Sequence, residues 1–318
     1  MKLERRFGFS IRPRAPYNYA LTVHKPAGWP LFTPFEIYDE GVFRTALHVS
    51  GTLLGLKLKN RGTTENPAFF VEVFMTGVPT PDQKKNIRET LSAKLGANQD
   101  VEAFYRMARK DSILKHAVRD LYGMHDTGTA NIFAEATLAI LLQMAPLNRS
   151  EQMWECVIEN YGEVAEFDGR KVLVWPTPER IAAVAPGELQ RKCKLGYRAK
   201  HLVGTATILG KGDFPTLEEL TKMPPAESKR KVLELPGIGD YSADIIGPHP
   251  GFPIDAWSAD VFATLFWRKK PVRSRDVIDK VKKAGITRWG EHCWMAFLYV
   301  AHDLEGLSRK LGLNLRLH

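Results

Sequence analysis

Residues 231–262 read KVLELPGIGDYSADIIGPHPGFPIDAWSADVF: a helix, a glycine-rich turn, and a second helix. Leu235-Pro236-Gly237-Ile238-Gly239 breaks the first helix and opens the next. Its two glycines permit positive φ and close approach of the backbone to a ligand. Amides at the start of the following helix point outward, and such ends bind phosphate. Ile238, between the glycines, can turn inward and hold the hairpin against a core. A Pro/Gly break follows at Gly247-Pro248-His249-Pro250-Gly251. Phe252-Pro253-Ile254-Asp255 then leads into an apolar helix, which puts Asp255 at or near a helix start, where a carboxylate is favoured by the helix dipole.

Leu235 to Gly239, Ala243 and the Pro253-Ile254-Asp255 run together resemble the helix-hairpin-helix DNA glycosylase superfamily. The resemblance implies that the hairpin residues Gly237, Ile238 and Gly239 grip a DNA phosphate and that Asp255 performs the chemistry. An ordinary helix cap at Asp255 is the alternative. The interval from Gly239 to Asp255 is several residues shorter than in that superfamily. The helix after the hairpin is therefore short, and residues 247–251 bridge directly to Asp255. Asp244 and Asp260 are the fallback carboxylates. Asp244 reads as a solvated helix residue, and Asp260 lies more than a turn inside the last helix.

Composition agrees with this reading. A chain of 318 residues suits two or three domains with a sizeable core. Its 44% apolar and 25% charged residues are those of an ordinary soluble globular protein. The net charge of +9 favours a polyanionic partner. The three cysteines, Cys156, Cys193 and Cys293, are far apart and odd in number. A disulfide framework is not expected, and a reducing compartment is. The implied location is intracellular, either cytoplasmic (nucleoid-associated) or nuclear. The cysteine spacing also lacks the cluster-binding pattern of the endonuclease III branch, so no iron–sulfur cluster is expected. No Cys/His group suggests zinc. The N-terminal residues lack an apolar signal core, and no run of about 18 apolar residues suggests a membrane span.

The fold class expected is α+β. Residues 1–98 read as an N-terminal antiparallel sheet domain, with alternation over residues 42–49, 53–58 and 68–75 and a helix over 84–95. This domain reads as a structural appendage, with a DNA-contacting sheet as the alternative. Residues 99–318 read as a helical glycosylase core, with the hairpin and catalytic region at 228–262. Asn98-Gln99-Asp100 caps a helix carrying Val101, Phe104, Tyr105 and Ala108 on one face. Asp111-Ser112 starts another. The apolar run 130–145, ANIFAEATLAILLQMA, reads as a central buried helix broken by Pro146. Further helices are expected over 151–161, after Thr177, over the basic stretch 188–201, over 215–220, and over 274–284 and 289–306. Residues 268–275 read as a basic loop.

These outer segments extend the resemblance to the DNA-3-methyladenine glycosylase II branch, which shares its architecture with the 8-oxoguanine glycosylases. Leu195 to Ala199 also fit that branch, where a turn of this kind begins a core helix. The resemblance implies that Gln143 and Met144 enter the minor groove and fill the gap left by an everted base. A flexible apolar wedge suits that task. A core methionine at a helix end is the alternative. Tyr241 stands where bifunctional members place a nucleophilic lysine. A phenol cannot form a Schiff base, so a monofunctional enzyme is implied. Tyr241 would stack on an electron-poor alkylated base, with a core tyrosine as the alternative. Phe133, Trp289, Tyr299 and His302 are the other pocket candidates, set against plain core packing. The resemblance also implies a K+ or Na+ ion held by the backbone carbonyls of Leu233, Leu235 and Ile238, with no other cofactor. The implied partner is damaged double-stranded DNA, bound by a monomer with no membrane. A carboxylate at 255 would stabilise an oxocarbenium-like sugar and orient or deprotonate the attacking water. An 8-oxoguanine or hypoxanthine glycosylase, or a non-enzymatic DNA-binding protein that has kept the hairpin, are the competing readings.

Overall fold

The computed structural model describes residues 1–27, 35–127, 131–269 and 275–315. Ala130 and Ser274, the expected first residues of two helices, and most of the expected basic loop lie outside these. Internal contacts divide the chain into two compact units, residues 1–99 with 123–214 and residues 100–122 with 215–318. The helices between residues 131 and 210 thus group with the N-terminal sheet, and the whole 231–262 segment lies in the second unit.

The first unit opens with β1 (Glu4–Ile11), α1 (Tyr19–Val23), β2 (Ile37–Asp39), β3 (Val42–Val49), β4 (Thr52–Asn60), β5 (Phe69–Met75) and α2 (Pro81–Lys94). The strands form one antiparallel sheet in the order β1-β5-β4-β3-β2. Two of its connections are two-residue turns, Glu40-Gly41 (φ 49° and 73°) and Ser50-Gly51 (φ 48° and 74°). Positive φ at both positions gives a turn whose twist matches that of the flanking strands. Thr80 and Gln83 cap α2 reciprocally, Thr80 Oγ1 accepting from the Gln83 amide at 3.2 Å and Gln83 Oε1 from the Thr80 amide at 2.9 Å. Ile87, Leu91 and Leu95 then pack on one face of the sheet against residues such as Leu56 and Val73.

Next along the chain come α3 (Glu102–Ala108) and α4 (Leu114–Asp120), which belong to the second unit. The first unit resumes with α5 (Ile132–Leu142), α6 (Leu147–Tyr161), β6 (Glu163–Phe167), β7 (Arg170–Val174), α7 (Pro178–Ala182), α8 (Pro186–Lys192) and α9 (Arg198–Gly210). The β6–β7 hairpin is not among the sequence expectations. Its turn, Asp168-Gly169, has φ 48° and 70°. Phe167, Val172 and Val174 pack with Ala46, Leu53 and Phe74 on the sheet. A Cβ at Gly55 would meet the Phe167 ring at 2.5 Å, so glycine there is what lets the hairpin approach. Arg44 and Lys57 of the sheet hold Asp168 at 2.8 and 2.7 Å. The sheet is therefore covered by α2 on one side and by β6–β7 on the other.

The stretch 188–201 holds two helices, α8 and α9, separated by the expected turn, in which Lys194 (φ 52°) and Gly196 (φ 59°) are left-handed and after which α9 begins. The cysteine expectation also needs correction. Cys156 of α6 and Cys193 at the end of α8 are disulfide-bonded, with Cα atoms 5.5 Å apart. They are 37 residues apart in sequence, yet both helices pack into one apolar cluster with Leu189 and Leu195. Only Cys293 is free, so the odd count is no argument for a reducing compartment.

The second unit continues with α10 (Leu217–Lys222), α11 (Pro225–Leu233), α12 (Asp240–Ala243), α13 (Ala256–Trp267), α14 (Arg275–Trp289), α15 (Cys293–His302) and α16 (Leu304–Leu311). The expected last helix over 289–306 is thus divided at Asp303. The core of this unit is aromatic: Phe252, Phe262, Phe297 and Trp289 meet mostly edge to face. No helix among the described residues is long and apolar enough to cross a membrane.

Candidate functional site

The hairpin joins α11 to α12. Gly237 sits at φ 81°, where a side chain is disfavoured, and the Ile238 amide closes the turn by donating to the Leu235 carbonyl at 3.1 Å. Ile238 is buried, as its place between the glycines suggests. Gly239 differs from the expectation. It is extended (φ −102°, ψ −178°), a conformation open to any residue, and a Cβ built there meets nothing within 4 Å. What Gly239 provides is open space in front of the backbone, and only Gly237 provides the left-handed bend. α12 spans just Asp240–Ala243, as the short interval to Asp255 requires.

Two lysines brace this turn. Lys229 of α11 contacts Asp240 and Asp244, each at 2.6 Å. Lys282 of α14 contacts the same two carboxylates, Asp244 at 2.5 Å. Asp244 is thus not the solvated residue expected: it is 4% exposed and ion-paired on both oxygens. Burial pushes the Asp240 carboxyl up, but Lys229 and Lys282 outweigh it and hold it below the usual range. Burial likewise opposes the Lys282 ammonium, and the two aspartates outweigh it and keep that lysine protonated. The sequence signals neither lysine, because each meets its partners only through helix packing.

Asp244 also fixes the bridge to Asp255. Its carbonyl accepts from the Gly251 amide at 2.8 Å, and a Cβ at Gly251 would meet Asp244 Oδ1 at 2.4 Å. Phe252 and Ile254 are buried, which anchors the segment on both sides of Pro253. Asp255 then caps α13. Its Oδ1 accepts from the Ser258 amide and hydroxyl, both at 2.7 Å, and its own amide donates to Ser258 Oγ at 2.8 Å. Both side-chain bonds fall on Oδ1, so the cap orients the carboxylate and engages one oxygen. Asp260 is buried within α13.

Tyr241, the second residue of α12, is in the same neighbourhood. Burial raises its phenol above the ordinary range, and the charge of Asp255 raises it further. The site therefore presents a neutral phenol and an oriented, partly buried carboxylate beside a turn with open space before its backbone.

No family model matches the chain. It is similar to a DNA-3-methyladenine glycosylase of Bacillus subtilis (strain 168), with 27% identity over 149 residues, 47% of this chain and 49% of the relative. It therefore spans about half the length of that relative. It is also similar to a probable N-glycosylase/DNA lyase of Methanothermobacter thermautotrophicus, with 23% identity over 69% of this chain and 73% of the relative. Among solved structures, the 3-methyladenine DNA-glycosylase from Archaeoglobus fulgidus superposes with a TM-score of 0.76, covering 96% of this chain and 100% of that one at 20% identity. The fold is that of the helix-hairpin-helix DNA glycosylases.

Within this glycosylase fold the other expected site residues separate into two groups. Trp289, Tyr299 and His302 are buried in the second unit. Trp289 Nε1 donates to Asp111 Oδ2 at 3.1 Å, and the Tyr299 hydroxyl lies 2.8 Å from that of Tyr105. Trp289 and Tyr299 are thus bonded within the core of that unit, where plain packing also accounts for them. Phe133 is likewise in the core of the first unit, with Leu141 and Met153. Met144 is the opposite case. It is 93% exposed and has φ 47°, just beyond the end of α5. The core-methionine alternative is therefore excluded. Gln143 precedes it as the helix cap. Among the described residues no group of three or more His, Cys, Asp or Glu side chains is placed to hold a metal.

Proposed function

We propose that the chain is a monofunctional DNA glycosylase that everts a damaged base from duplex DNA and hydrolyses its N-glycosidic bond, with alkylated purines as substrates. The observation that carries this reading is the carboxylate of Asp255, fixed through one oxygen at the start of α13, one short helix beyond the glycine hairpin. A base inside a duplex is inaccessible at its glycosidic carbon, so the nucleotide is extruded at a cost of a few kcal/mol. The turn at Gly237–Gly239 would grip a phosphate with the amides not used to close it, and Gln143 and Met144 would occupy the vacated stack. Tyr241 offers a neutral aromatic face to an electron-poor base. As the base leaves, positive charge develops on the sugar. The carboxylate of Asp255, held by Ser258 through Oδ1, stabilises that charge and orients water.

The hairpin carries no nucleophilic lysine. Lys282 is held protonated by Asp240 and Asp244, which makes it a poor nucleophile. The K+ or Na+ ion is part of the same proposal. Leu233 ends α11, where helix carbonyls lack intrahelical partners, and Leu235 and Ile238 add neutral oxygens in the turn. Such a donor set suits a monovalent ion, which would supply positive charge between turn and phosphate.

The deciding experiment is base release from a panel of duplexes carrying 3-methyladenine, 7-methylguanine, hypoxanthine or 8-oxoguanine, with borohydride present in a parallel reaction. Release of alkylated purines without a trapped adduct is expected. Release of 8-oxoguanine alone, or a covalent adduct, would replace this reading by that of a bifunctional enzyme. Binding without release of any base would leave a DNA-binding protein.

A further inference from the structure

Met144 is held in an unfavourable conformation by something other than its own side chain, which is in solvent. Gln143 has φ −62° and ψ 128°, and Met144 has φ 47°. An extended ψ followed by a positive φ is the pattern of a type II turn, whose second position favours glycine. A methionine there is costly and persists only where the surroundings over-determine it. The structure shows what does so. The Gln143 carbonyl, which belongs to the peptide joining Gln143 to Met144, accepts from Arg198 Nε at 3.1 Å and also from Arg198 Nη2. Type I and type II turns differ by a flip of that peptide. A guanidinium fork on this oxygen therefore selects the type II orientation and with it the direction of Met144.

Arg198 is itself fixed. Its Nη1 reaches the Leu195 carbonyl at 3.4 Å, and its guanidinium lies over the Tyr197 ring at 4.8 Å from the centroid. The tie is returned from the other side, where Arg149 Nη2 donates to the Lys194 carbonyl at 2.9 Å. The 194–198 turn is thus tied to Gln143 by Arg198 and to the start of α6 by Arg149.

We propose that Arg198 is a positioning residue for base eversion, acting through the Gln143 carbonyl to hold Met144 ready for the DNA stack before DNA arrives. This inference rests on the glycosylase reading. The test uses Arg198→Met, which keeps length and loses all donors, and Arg198→Lys, which keeps charge but not the fork. Single-turnover excision is measured on one alkylated lesion in two duplexes, fully paired and opposite an abasic site, where eversion needs no wedge. On the paired duplex Arg198→Met should lose about ten- to a hundredfold, the scale of a charge-assisted hydrogen-bond pair. Arg198→Lys should fall between it and the wild type. On the unpaired duplex both losses should shrink to about twofold or less. In a Met144→Ala background, Arg198→Met should cost nothing further, since two residues acting as one unit are not additive. Equal losses on both duplexes, as from a general fault of folding or from a direct phosphate contact, would overturn the proposal, and so would additive losses. A wild-type protein that releases no base from any duplex overturns the glycosylase reading first and this role with it.

Discussion

The negative charge of Asp255 adds to burial in raising the Tyr241 phenol above its ordinary range. The two side chains are near enough to influence each other, and Ser258 holds the charged one in place.

Replacing Asp255 by Asn separates capping from chemistry. Asn caps a helix about as well as Asp, so the midpoint of thermal unfolding should hardly move. Base excision should fall by at least ~10²-fold in a single-turnover assay, the scale of losing one electrostatic or general-base group. Binding to lesion DNA should persist. Excision at the wild-type rate would assign the carboxylate to structure alone.

The two hairpin glycines should respond in opposite ways. Gly237→Ala places a Cβ at φ 81° and should cost about 1–2 kcal/mol of stability. Gly239→Leu enters an extended position with free space and should leave stability within roughly 0.5 kcal/mol. Its side chain would fill the space a phosphate needs, so affinity for an abasic-site duplex should drop. Unchanged affinity in folded Gly239→Leu would remove the phosphate from this turn.

Asp244 is a brace, and its loss should show as stability. Asp244→Asn leaves Lys229 and Lys282 short of a buried counter-charge, at a cost of roughly 2–3 kcal/mol. Chemical denaturation would measure it. A variant as stable as the wild type would mean that Asp240 alone satisfies both lysines.

Asp303, buried between α15 and α16, gives the protein a pH dependence of unusual sign. Burial pushes its carboxyl up to about 6, with Arg309 and Arg119 opposing part of the shift. Asp120 is also close, since a Cβ at Gly306 would lie within 3.0 Å of carboxylate oxygens of both aspartates. An acid that holds its proton more tightly when folded contributes stability below its unfolded pKa of about 3.9 and loses it as pH rises through the folded value. Asp303→Asn should therefore stabilise the protein at pH 8, by up to roughly 2 kcal/mol, and leave stability at low pH unchanged. A shift in unfolding midpoint that is the same at both pH values would show that the carboxyl does not titrate in this way.

Much of the site could be read from residue order because its rules are local. Asp255 and Ser258 stand three apart and form a reciprocal cap, and Gly237 marks a bend that only glycine makes easily. The alternation in β3, β4 and β5 gave the sheet for the same reason. The β6–β7 hairpin has a local signal too, since Asp168-Gly169 repeats the X-Gly turn of Glu40-Gly41 and Ser50-Gly51. Other features had no local signal. Asp244 meets Lys282 across 38 residues and Cys156 meets Cys193 across 37, and no spacing rule reaches that far. The burial of Trp289 and Tyr299 was also invisible, because an aromatic-rich helix looks alike whether it faces a ligand or a core.

The hairpin lying on the second face of the N-terminal sheet bears on how the gene can be cut. A deletion of residues 1–98 would strip the partner from Phe167, Val172 and Val174 and leave Asp168 without Arg44 and Lys57. A fragment starting at residue 99 would carry a bare, sticky β-ribbon with a stranded acid at its tip. The protein is therefore to be expressed and shortened as a whole first unit, and a helical “catalytic half” made by cutting after the sheet would aggregate.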